Sequence, residues 1–211
     1  MIDTLLETYI TQYSEQESEG MKILHDYTLA YGKGVRMLSG PLQGAFLTAM
    51  SYLKSPQNIL EIGTFTGYSA LCLAQGLKPD GKLITIDIDN QHEEKAQEVW
   101  SKDEKGRQIE LLIGNAAEII PTLEMSFDLV FIDANKGGYE TYFDLVLPKM
   151  PSGGVILADN VLFRSEVLLP TDEQGKTARY MDAFNQKIAA DNRVIQVVLP
   201  LRDGISIIVK K

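Results

Sequence analysis

The 211-residue sequence has little of what several common architectures require. Its one cysteine, Cys72, can form no internal disulfide. A single thiol buried in the segment LCLA suits a reducing, cytoplasmic setting. No apolar run is long enough to cross a bilayer, so no membrane role is expected. The acidic, amphipathic start MIDTLLETYITQYSEQESEG lacks the basic residues and apolar centre of a signal peptide. The only histidines, His25 and His92, lie apart and read as surface or packing residues. Basic residues are outnumbered, 20 against 29 acidic, for a net charge of −9. That argues against broad nucleic-acid binding, which draws on Lys and Arg neutralising phosphates, and leaves room only for a local basic patch. Repeats, low-complexity tracts and domain linkers are also missing, and the length suits one α/β domain over residues 1–211.

What is present is an alternation. The apolar runs NILEI (58–62), KLITID (82–87), IELLIG (109–114), FDLVFID (127–133) and GVILAD (154–159) lack strict polar alternation. They suit strands buried on both faces of a parallel sheet. Between them lie segments of helical length at 67–77, 91–106, 115–123 and 139–150. Strand–helix alternation implies right-handed crossovers with helices on both faces. At the end, 193–200 and 204–211 are joined only by Leu201-Arg202-Asp203, a link that favours an antiparallel hairpin. Residues 2–53 read as helices, with breaks near Glu19–Gly20 and Gly40–Pro41, and the polar stretch Thr171–Thr177 as a loop.

In open α/β sheets ligands bind beyond the carboxyl ends of the strands, so polar residues that end apolar runs matter most. The first such segment is Glu61-Ile62-Gly63-Thr64-Phe65-Thr66-Gly67. Gly63 lets the backbone turn and approach a ligand closely. The spacing G-x-x-x-G departs from the G-x-G-x-x-G that cradles a pyrophosphate, which disfavours an NAD-dependent dehydrogenase. Asp87 ends the next run, where an acidic residue can accept from ribose hydroxyls; by position alone it could equally cap a helix. Together these point to a nucleoside-containing cofactor.

Asp133 ends LVFID, and Asp159 and Asn160 end VILADN. On neighbouring strands, roughly 5 Å apart, the three would converge at one sheet edge. Two adjacent carboxylates need a compensating cation or proton. An oxygen-only set suits Mg²⁺, with Mn²⁺ or Ca²⁺ also acceptable, better than zinc. Taken singly, each residue could instead cap a turn or start a loop. Lys136, three residues after Asp133, is either a solvated ammonium or, beside a metal-acidified hydroxyl, a general base.

The segments LEIGTFTGYSALCLA, ITIDID, FDLVFIDANKGGYETY, GGVILADNVL and LPLRDGISI together resemble the cation-dependent O-methyltransferases, the family that includes catechol and caffeoyl-CoA O-methyltransferases. The resemblance runs from about residue 37 to the C-terminus. It implies a class I methyltransferase fold, Rossmann-like, with a seven-stranded, mostly parallel sheet and an antiparallel last strand. It implies S-adenosylmethionine as cofactor, bound by Glu61, Gly63, Ser69, Asp87, the adjoining Ile88 and Asp133, with Asp87 or its neighbourhood on the ribose. Met37 and Ser39, in RMLSGPLQG, resemble the segment that closes over the cofactor. Gly114, Asn115 and Ala116 would line the adenine side. Asp133, Asp159 and Asn160 match the metal ligands, and Lys136 the general base. The string Asp133-Ala134-Asn135-Lys136 departs from both D-A-D-K and D-H-W-K, and LFRSEV after DNV matches neither branch's substrate loop.

The resulting expectation is metal-dependent O-methylation of a catechol-like or hydroxycinnamoyl-type small molecule, with Tyr139, Arg164, Arg179 and Asp203 as candidate acceptor contacts. The N-terminal helices would shape the pocket or a homodimer contact. Two other readings stand beside it. One is methylation of a hydroxylated wobble uridine in tRNA, as in some bacterial relatives of the family. The other is a non-catalytic nucleoside-binding protein that keeps the fold.

Overall fold

Successive side chains of a strand point to opposite faces. In the central strands of this protein both faces are buried, so each of them needs a helical layer on either side. The computed structural model describes residues 4–32 and 37–211. Its strands are β1 (Asn58–Ile62), β2 (Lys82–Asp87), β3 (Ile109–Ile113), β4 (Leu129–Ile132), β5 (Val155–Asp159), β6 (Val194–Leu199) and β7 (Ile205–Lys210). They form one seven-stranded sheet in the order β3-β2-β1-β4-β5-β7-β6. The pairings among β1 to β5 are parallel, while β7 runs antiparallel to both β5 and β6.

The helices are α1 (Thr4–Gln12), α2 (Glu19–Tyr31), α3 (Gly40–Lys54), α4 (Tyr68–Ala74), α5 (Glu93–Trp100), α6 (Ala116–Thr122), α7 (Tyr139–Val146) and α8 (Lys176–Ala190). Leu60, Ile62, Val130, Ile132 and Ile156 pack with Phe143 of α7 and Phe184 of α8. Their odd-numbered neighbours Ile59, Leu129, Phe131 and Leu157 pack on the other face with Leu24 of α2, Leu47 of α3 and Leu71 of α4. The expected helical stretch 2–53 is realised as α1, α2 and α3, with helices beginning at both anticipated breaks, Glu19 and Gly40. Positions 2, 3 and 33–36 of that stretch lie outside the described residues. The expected loop Thr171–Thr177 gives way to α8 at Lys176.

Chain order reverses between β1 and β4, which are adjacent although β2 and β3 intervene in sequence. Such a switch point opens a crevice at the carboxyl ends of the two strands. The Gly63 turn follows β1, and Asp133 directly follows β4. Gly67, at φ +83°, then starts α4, and its carbonyl accepts from Trp100 Nε1 at 3.2 Å.

One charged side chain sits at the centre of this sheet. Glu61 of β1 is fully buried, opposite Thr85 of β2 and Phe131 of β4. One carboxyl oxygen accepts from Thr85 Oγ1 at 2.5 Å, and the other has no partner among the described residues. Burial pushes its pKa up to about 8, with the charges of Asp133 and Asp87 adding to the rise. A carboxyl whose folded pKa is raised favours the fold fully below its unfolded value, and that contribution is lost as pH climbs through the folded value. Glu61→Gln removes this dependence. Between pH 5 and pH 8.5 the thermal midpoint of the parent protein is expected to fall relative to that of the variant. Parallel melting curves across that range would refute the assignment.

Candidate active site

The crevice at the switch point widens into a cavity of about 1660 Å³. Ordinary small-molecule sites occupy roughly 300–1,000 Å³, so this one has room for two ligands side by side.

One half is built on β1 and β2. Gly63 has φ +100°, and a Cβ there would lie 2.1 Å from the Asp133 carbonyl oxygen, so only glycine fits. Asp87 Oδ2 accepts from the backbone N–H groups of Thr64 and Phe65, each at 2.8 Å. Asp87 therefore fastens the glycine turn, while its Oδ1 accepts from Asp89 N at 3.1 Å. It does not cap α5, whose N-cap is His92. Ser69, Asp87 and the exposed Ile88 line this half. So do Gly114, Asn115 and Ala116, where Asn115 caps α6 by accepting from Ala117 N at 3.1 Å. Met37 and Ser39 line the cavity from the segment before α3. Glu61 does not line the cavity; it lies buried behind the turn.

The other half is built on β4, β5 and the β6–β7 turn. Asp133, Lys136, Asp159 and Asn160 all line it. Lys136 Nζ donates to Asp133 Oδ1 at 2.7 Å. Asp159 is buried and accepts from Asn160 N at Oδ1 and from Gln43 Nε2 at Oδ2, both at 2.7 Å. Burial pushes its carboxyl up to about 7, with the Asp133 charge contributing further. Asn160 stands at φ +59°, a left-handed conformation that Asn tolerates better than most residues. Phe163, Arg164 and Ser165 also have positive φ, a concentration of unfavourable backbone that needs outside support. The β6–β7 turn gives it: Asp203 Oδ1 accepts from Arg164 N, and the carbonyls of Asp203 and Gly204 accept from Leu162 N and Val161 N.

These donors fit a hard divalent cation. Two carboxylates and an amide oxygen gather at neighbouring strand ends, one carboxylate buried and destabilised as an anion by the other. Among the described residues, no cluster of three or more His, Cys, Asp or Glu is present. The set is oxygen-based and leaves positions for further oxygen ligands.

Two of the four expected acceptor contacts do not reach the cavity. Tyr139 is fully buried, and its hydroxyl bonds the carbonyls of Ile132 and Asp159, each at 3.1 Å. It ties the ends of β4 and β5 together instead of facing a substrate. Arg179 lies exposed on α8, away from the cavity lining. Arg164 and Asp203 do line it. Sequence reasoning passed over Gln43 and Arg202, both of which line the cavity. The buried face of α3 also carries Thr48 and Ser51, so a polar residue at position 43 has nothing local to set it apart. His92 is nearly buried, with Tyr31 and Phe65 edge-on to its ring, and His25 pairs with Glu17 at 2.9 Å.

A family model described as O-methyltransferase matches residues 11–211. A probable caffeoyl-CoA O-methyltransferase of Dictyostelium discoideum is 32% identical over 207 residues, spanning 96% of this chain and 90% of the relative. The mouse catechol O-methyltransferase domain-containing protein 1 is 31% identical over 213 residues, spanning 99% and 80%. Among solved structures, the O-methyltransferase of Bacillus cereus in complex with SAH superposes with TM-score 0.88 at 27% identity, covering 99% of this chain and 98% of that one. TomG of Streptomyces achromogenes, an O-methyltransferase solved with SAM, gives 0.88 at 28% identity and covers the whole of both chains. The chain belongs to the O-methyltransferase family, the S-adenosylmethionine-dependent enzymes that include the caffeoyl-CoA and catechol O-methyltransferases.

Proposed function

We propose that this enzyme methylates one hydroxyl of a catechol-like or hydroxycinnamoyl-type small molecule, using S-adenosylmethionine and a divalent cation. The carrying observation is the cavity itself. A glycine turn fastened by Asp87 occupies one half, and an oxygen donor set beside Lys136 occupies the other. Gly63, Ser69, Asp87 and the Gly114–Ala116 corner bind the methyl donor, with Met37 and Ser39 above it. Asp133, Asp159 and Asn160 hold the cation, with Mg²⁺ the best match to these donors. When bound, the cation supplies charge that makes an acceptor hydroxyl more acidic.

The protein's own residues do the rest. In its neutral amine form Lys136 Nζ takes the proton of the acceptor hydroxyl and becomes the ammonium that faces Asp133 Oδ1. The freed oxygen forms a bond to the donor's methyl carbon as the carbon–sulfur bond breaks. The walls of the cavity keep the two reactants at attack distance, an effect worth up to about 10 kcal/mol in favourable systems. Phe163, Arg164 and Asp203 shape the acceptor end.

With a labelled methyl donor, transfer to catechols is expected to collapse in a chelator and return with Mg²⁺ or Mn²⁺. Full turnover in the chelator would remove the metal from the mechanism. Gly63→Ala is expected to weaken S-adenosylhomocysteine binding by about tenfold or more, because its new methyl must push the Asp133 backbone away. Calorimetry returning the parent affinity would show that this turn is not the cofactor's seat. The acceptor class is tested by a screen of catechols, hydroxycinnamoyl thioesters and hypomethylated tRNA. Turnover confined to tRNA would replace the small-molecule reading.

A further inference from the structure

Asp159 ends β5 in a buried position, where its carboxylate needs to be aimed as well as placed. Asn160 N holds Oδ1. Oδ2 is held from α3 by Gln43 Nε2, 2.7 Å away across 116 positions of sequence. An amide side chain has a donor end and an acceptor end, and only the donor end can face a carboxylate. Arg202 decides which end that is. Its Nη1 faces Gln43 Oε1 at 3.3 Å, and a guanidinium has no acceptor capacity, so the amide oxygen points to Arg202 and the NH₂ to Asp159. Gln43 is 1% exposed, so a reversed amide would set two oxygens against each other in a buried site. A neutral amide also adds no negative charge beside Asp133 and Asp159.

The two N–H groups of Nη1 serve the carbonyls of Leu38, at 2.6 Å, and of Ser39, so Gln43 Oε1 faces the guanidinium's positive charge without a hydrogen of its own. Leu38 and Ser39 line the cavity, in the segment that the proposed function gives to the cofactor. Arg202 lies in the β6–β7 turn at φ +51° and is itself exposed. It connects three elements that meet nowhere in sequence: the terminal hairpin, the start of α3 and, through Gln43, the end of β5.

We propose that Gln43 and Arg202 are positioning residues that aim the Asp159 carboxylate for the cation and couple that aim to the cofactor-side wall. The inference rests on the reading of Asp159 as a metal ligand given above. Hydrogen-bond partners of metal ligands commonly govern affinity by about 10–100-fold. Because Arg202 serves both halves, cation and cofactor are expected to tighten each other's binding.

The test uses Mn²⁺, with free metal followed by electron paramagnetic resonance, on the full chain with and without S-adenosylhomocysteine. Calorimetry measures the cofactor product separately, and circular dichroism checks the fold. The parent protein should bind Mn²⁺ more tightly when S-adenosylhomocysteine is present, and Asp159→Ala should lose the metal. Gln43→Met should weaken Mn²⁺ by about tenfold or more while leaving metal-free cofactor affinity little changed. Arg202→Met should weaken both ligands and shrink their mutual tightening, and Arg202→Lys should recover part of the loss. Arg202 sits on an exposed turn, so its variants carry the test if Gln43→Met does not fold. Parent-like Mn²⁺ affinity in the folded Gln43 or Arg202 variants, with Asp159→Ala inactive in binding, overturns this inference and spares the metal reading. Absent Mn²⁺ binding in the parent, or binding unchanged by Asp159→Ala, overturns the metal reading and this inference with it.

Discussion

The backbone after β1 passes so close to the backbone after β4 that Gly63 has no room for a side chain beside the Asp133 carbonyl. That contact sits at the switch point of the sheet, where the crevice between the two strands opens. It sets the glycine turn directly against the acidic end of β4. Asp87 fastens the turn from the next strand out, and Tyr139 fastens β4 to β5 on the other side. The strand ends from β2 to β5 are therefore held as one rim, and both halves of the cavity are features of that rim. Methyl transfer needs two reactants at fixed separation, and a rim of hydrogen-bonded strand ends is a rigid way to provide it.

On this rim and behind it the fold buries carboxyl groups that it would otherwise avoid. Glu61 and Asp159 are both buried carboxyls raised well above their ordinary range. Their environments differ in a way that suits different tasks. Glu61 has apolar neighbours, a threonine hydroxyl and one oxygen without a partner. Asp159 has both oxygens engaged and opens onto the cavity beside Asp133. A buried carboxyl on the cavity wall, as Asp159 is, is destabilising until a ligand compensates it, which is a common cost of function.

The central strands could be read from the sequence because burial on both faces leaves continuous apolar runs. The strand-end residues could be read for the same reason: Asp87, Asp133 and Asp159 interrupt those runs where ligands bind. Contacts made by folding distant segments together left no such mark. The Arg202–Ser39 contact spans 163 positions, and nothing local to LPLRDG announces it. Tyr139 follows Lys136 closely, as an acceptor contact would, yet helical geometry turns its ring inward to the core. Arg179 stands exposed on α8, whose core contacts Ala178, Met181, Phe184 and Ile188 are spaced three or four apart among polar residues. His92 packs against Tyr31 and Phe65 and also lines the cavity, and Cys72 is buried as its apolar neighbours implied.

Trp100 gives the fold one more property. It is the only tryptophan in the chain, nearly buried at the end of α5, and its indole N–H is bonded to the carbonyl of Gly67. Gly67 closes the turn that begins at Gly63. Indole emission from this protein therefore arises from a single chromophore attached to the floor of the cofactor half. The enzyme carries its own optical probe, at the junction where the glycine turn becomes α4.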